Sequence, residues 1–137
     1  TLLAYSSPAQ TLQKKSSLFS ACPASADCSV QQLNSLFNAV NGQTIQLALT
    51  EKFILKGTLK NKINKYGKIE TLFIQLPSFG NTLLSVSRRM DEQKKYVYSA
   101  HLLNKNFADG YQLKRHKNDV YRFEKIETEK LLPLCNQ

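Results

Sequence analysis

Between Phe53 and Ile63 the chain alternates with little slippage. Phe53, Leu55, Gly57, Leu59 and Ile63 hold the odd positions, and Lys52, Lys56, Lys60 and Lys62 the even ones; Ile54 and Asn61 depart from the pattern. A period of two sends neighbouring side chains to opposite faces of a strand. One face is therefore apolar and the other a row of ammonium groups, as in an antiparallel strand covered on one side only.

The rest of the chain repeats the message. Thr44–Leu49, Ile69–Leu76, Thr82–Met90, Tyr96–Leu103, Tyr111–Arg115 and Val120–Ile126 are short β-rich runs. Asn64-Lys-Tyr-Gly67, Pro77-Ser-Phe-Gly80, Asp91-Glu-Gln93, Ala108-Asp-Gly110 and Lys117-Asn-Asp119 separate them as turns. No helical pattern intervenes, so the runs form an antiparallel meander rather than βαβ units. One helix precedes them, over about residues 29–41. Ser29 and Gln32 form a capping box, Val30, Leu33, Leu36, Phe37 and Val40 recur at helical spacing, and Asn41-Gly42 ends it. The expected fold is mainly β (α+β): about seven strands in a strongly curled sheet or small barrel, with the helix packed on it. Closure or coverage is expected because open edges invite aggregation. Residues 1–28, rich in Ser, Ala, Gln and Pro, read as a flexible lead-in, with a signal-peptide remnant at its start, that becomes ordered near the cysteines, and 29–137 as a single β-rich domain.

Asn41-Gly-Gln-Thr-Ile-Gln-Leu47, Lys56-Gly-Thr-Leu59 and Ala108-Asp-Gly-Tyr-Gln-Leu113, behind a signal-like Ala9-Gln10, resemble small exported β-rich proteins of Bacteroidetes-group bacteria. The likeness covers roughly residues 40 to 130. It implies an exported location and a β-rich fold, and it carries over no functional residue. Thr1–Gln10, apolar and then small, matches the end of a secretory signal, so a secreted, periplasmic or cell-envelope location is expected. No apolar run approaches the ~20 residues of a transmembrane helix.

Cys22, Cys28 and Cys135 are an odd set, allowing one intrachain disulfide. Cys28–Cys135 would close a long loop, which the chain-entropy model values at about 4–5 kcal/mol; Cys22–Cys28 would staple a short one. Neither His101 nor His116 has a nearby His or Cys partner, so no metal site is expected, and no cofactor motif is present.

The net charge of +9 suits an anionic polymer, an acidic surface or plain solubility. Lys52, Lys56, Lys60, Lys62, Lys65 and Lys68 form a stretch without an acidic residue between its ends, with Tyr66 beside it. An array of ammonium groups near an aromatic ring matches a phosphate or sulfate polymer; the commoner meaning of such a row is a solvated outer face whose lysines also guard against edge-to-edge pairing. Arg88–Lys95 and Lys114–Lys117 add basic loops. The expectation is a non-enzymatic secreted or envelope-associated domain that binds an anionic polymer or another protein. Two alternatives come from other classes. His101 and His116 are the acid–base pair a small secreted nuclease would use. Tyr96, Tyr98, Tyr111, Tyr121 and Phe123 would line a barrel-type carrier of a small apolar ligand. No nucleophile elbow or zinc-protease motif occurs, and no residue is assigned as catalytic.

Overall fold

The computed structural model describes residues 15–127. Eight strands follow one another in chain order: β1 Ser25–Cys28, β2 Thr44–Thr50, β3 Phe53–Lys65, β4 Ile69–Leu76, β5 Thr82–Met90, β6 Tyr96–Leu103, β7 Asp109–His116 and β8 Val120–Glu127. The single helix, α1 Val30–Leu36, lies between β1 and β2. All pairings are antiparallel and the order is β1-β8-β7-β6-β5-β4-β3-β2. The sheet curls into a nearly closed barrel, one of the two forms expected from the meander pattern. Its seam falls between the edge strands β1 and β2, where the Gln32 side-chain amide donates to the Ala48 carbonyl at 2.8 Å.

Alternation dictates what fills the barrel. Leu55, Leu59, Leu72, Ile74, Leu84, Val86, Ala100, Leu102, Leu113 and Phe123 all point inward and are buried. Aromatic rings occupy the axis: Phe53 stands 4.8 Å from Tyr111, and Tyr98 meets Tyr121 edge-on at 5.6 Å. The tyrosines considered as pocket walls, Tyr98, Tyr111 and Tyr121, are thus core, and burial pushes the phenols of Tyr98 and Tyr111 above the usual range. Gly57 in β3 is required by close approach, since a Cβ there would sit 2.1 Å from the Gln75 carbonyl oxygen.

Two parts depart from the sequence expectation. The strand missing from the expected seven is β1, inside the segment read as lead-in. Ahead of it, residues 16–24 strap one end of the barrel. Phe19 is fully buried against Phe79 and Tyr111, and the Asp109 carboxylate accepts the N–H groups of Leu18 (2.7 Å) and Phe19 (3.1 Å). Lys125 Nζ donates to the carbonyls of Phe19 and Cys22, and the Tyr111 hydroxyl to that of Pro23.

The helix is shorter than 29–41. Its capping box forms as expected, with Ser29 Oγ accepting from Gln32 N and Gln32 Oε1 accepting from Ser29 N. It ends at Phe37, whose N–H bonds to the Asn34 and Ser35 carbonyls in a tightened last turn. Leu33, Leu36 and Phe37 face the core, whereas Val30 and Val40 are exposed and Ala39 is buried instead.

Cys22 and Cys28 carry free thiols, so the expected Cys28–Cys135 bridge is not formed; Cys135, like residues 1–14, lies outside the described residues. The reason is orientation. Alternation on β1 turns Cys28 into the core at 2% exposure, opposite Tyr121, and burial pushes its thiol up to about 12.

Candidate functional site

In an antiparallel meander every second turn lies at the same end. The β3–β4, β5–β6 and β7–β8 hairpins therefore share one end of the barrel, the end that α1 plugs. The plug is held by Arg88, which alternation on β5 turns inward. Its guanidinium lies between the rings of Phe37 (4.4 Å) and Tyr96 (4.2 Å). Nε and Nη2 reach Glu70 Oε1, both at 2.9 Å, and Nη1 donates to Asn34 Oδ1 at 2.6 Å. Tyr98 OH donates to the same Asn34 oxygen.

Each hairpin tip has its own turn chemistry. The β3–β4 hairpin has a three-residue loop, Tyr66–Lys68, because Lys65 pairs with Ile69; within it Lys65-Tyr-Gly-Lys68 is a β-turn closed by Lys68 N to Lys65 O at 3.1 Å, with Tyr66 and Gly67 both at positive φ (58° and 67°) as in type I′. At the second tip Asp91 Oδ1 accepts the N–H groups of Lys95 and Gln93. Those bonds, Lys95's foremost, hold the Asp91 carboxyl below its ordinary range. At the third, Asp119 takes two bonds from Arg115.

Three acids of this end are engaged, Glu70 by Arg88, Asp91 by its own turn and Asp119 by Arg115, while Glu92 at the second tip is exposed and, among the described residues, without an ion pair. Among the described residues Lys65, Lys68, Arg89, Lys94, Lys95 and Lys117 are exposed and make no ion pair. Exposed apolar groups collect here too: Tyr66 (87%), Met90 (43%), Tyr96 (40%) and Val120. Between the first two tips runs a groove of about 430 Å³, lined by Lys68, Lys94, Met90 and Tyr96 and by the acids Glu70, Asp91 and Glu92.

The six lysines read from the sequence are not one row. Lys52 lies in the β2–β3 turn at the opposite end. Lys56 and Lys60 are exposed on the barrel wall. The β3–β4 register then shifts between Leu59 and Asn61, and this bulge reverses the parity. Lys62 consequently pairs with the inward-facing Leu72, and its Nζ donates to the carbonyls of Phe37 (2.6 Å) and Ala39 (3.4 Å) just past the helix. Lys65 and Lys68 belong to the rim. The further rim cations sit in the two basic loops of the sequence. Their convergence was available from meander parity, since turns two strands apart face the same way.

The histidines are not brought together. His101 projects from the wall of β6 beside Gln112 of β7, while His116 lies four residues further along β7 and bonds Glu124 at 2.7 Å. Four residues of strand separate them by about 13 Å, too far to flank one phosphate. Among the described residues no cluster of three or more His, Cys, Asp or Glu could hold a metal ion, and no helix is long and apolar enough to cross a membrane. Comparison with protein-family models, curated proteins and solved structures finds no match.

Proposed function

We propose that this chain is a non-enzymatic binding domain, secreted or held at the cell envelope, and that the plugged end of the barrel receives an anionic polymer or an acidic protein partner. The observation that carries the reading is the inequality at the hairpin rim: six cations project without ion pairs while three of the acids around them are already engaged. Such a rim attracts polyanions by releasing their condensed counterions, an interaction that weakens steeply with salt. The signal-like N-terminus and the likeness to exported proteins support the location. The aromatic and aliphatic filling of the interior weighs against a carrier, and the separation of His101 from His116 weighs against a nuclease.

The test is retention on an immobilised polyanion across a salt gradient. Wild-type protein is expected to elute at markedly higher salt than a variant carrying Lys68→Glu, Lys94→Glu and Lys95→Glu. A variant with Lys52→Glu, Lys56→Glu and Lys60→Glu, equal in charge but away from the rim, is expected to lose much less. Equal losses in both variants would reduce the effect to net charge and remove the rim as a site.

A further inference from the structure

Tyr66 stands in a position its side chain does not favour. The first central residue of a type I′ turn needs positive φ, which Asn, Asp and Gly adopt readily and a bulky aromatic residue does not. Here it is a tyrosine at φ 58°, and its ring is 87% exposed, so packing does not repay the conformation. A strained residue that stabilises nothing in its own fold points to a task outside it. On the neighbouring hairpin Tyr96 offers a second ring. One face is backed by Arg88 at 4.2 Å, and the residue is 40% exposed. The two hairpins are two strands apart, about 10 Å of sheet width. Lys65, Lys68, Lys94 and Lys95 flank the two rings, with Asp91 tied into its own turn and Glu92 as the one exposed acid between.

Resting on the anionic-polymer reading above, we propose that the rim recognises single-stranded nucleic acid, with Tyr66 and Tyr96 as stacking platforms and the flanking lysines following the phosphates. Exposed rings interleaved with cations are what a sequence-tolerant single-strand site requires, because every base presents a flat π face. A sulfated polysaccharide is held through its charges and would give the Tyr66 ring no aromatic face to cover.

The experiment compares two probes under identical buffer at about 50 and 200 mM salt. One is an oligothymidylate of about 12 nucleotides; the other is a heparin fragment of similar charge. Tyr66→Ala is expected to weaken oligothymidylate binding about tenfold and to leave heparin binding unchanged, while Tyr66→Phe retains the wild-type affinity. Because the ring lies outside the core, thermal unfolding of both variants should match wild type. If both probes bind and Tyr66→Ala alters neither, the stacking proposal falls and the anion-binding rim stands. If neither probe binds, both fall.

Discussion

Replacing Phe19 by alanine tests whether the strap belongs to the folded body. The ring is fully buried, 5.1 Å from Phe79 and 5.2 Å from Tyr111, so its removal leaves a phenyl-sized void at the strapped end of the barrel. Phe→Ala changes in such positions cost about 3–5 kcal/mol, from lost transfer energy and an incompletely collapsed cavity. The two bonds to Asp109 come from the backbone N–H groups of Leu18 and Phe19, so the substitution leaves both donors present. The loss therefore reports ring packing rather than the strap's polar anchors. For a chain of this length each kcal/mol moves the melting temperature by about 3–4 °C, which gives an expected fall of about 9–20 °C. Calorimetry or far-ultraviolet circular dichroism reads it, with Leu18→Ala as a partly exposed control. A shift under about 3 °C would show that residues 16–24 do not hold the barrel end.

Arg88→Met removes the guanidinium between Phe37 and Tyr96 and leaves Asn34 and Glu70 without it. The expected cost is about 2 kcal/mol, moderated because water can rehydrate the partly exposed Glu70, and a double-mutant cycle with Glu70→Gln should show coupling of about 1 kcal/mol. Additive effects would mean the ion pair contributes nothing. Cys28, its thiol pushed up from 9.0 to about 12, should resist alkylation at pH 8 until the protein unfolds, while the less buried Cys22 reacts first. Because the folded state keeps this thiol protonated, the stability it confers is complete below pH 9 and lost as pH climbs from there towards about 12. A Cys28→Ser variant should lack that component of the alkaline decline, and an unchanged decline would rule it out.

Much of the architecture was legible because strands β4, β5 and β6 each alternate over eight or nine residues between clear turns. Their ends match the expected Ile69–Leu76, Thr82–Met90 and Tyr96–Leu103. What stayed hidden depends on contacts distant in sequence. Four residues of β1 show too few inward positions for a period, and only pairing with β8 makes them a strand. The helix stops early at Phe37, and the cation that meets the carbonyls beyond it is Lys62, 25 residues away. That lysine reaches them because one residue of bulge reverses the face of β3, of which the only local sign is the break in alternation at Asn61. The lysine stretch was visible as charge, but its division among wall, plug and rim was not.

Nuclear magnetic resonance titration of the labelled protein with a polyanion tests the rim most directly. Amide shifts should concentrate in residues 64–68, 90–96 and 114–119, the three tips at the plugged end, and fade as salt is raised. Perturbations centred on the strap, on the turn holding Lys52, or spread evenly over all exposed lysines would contradict the assignment.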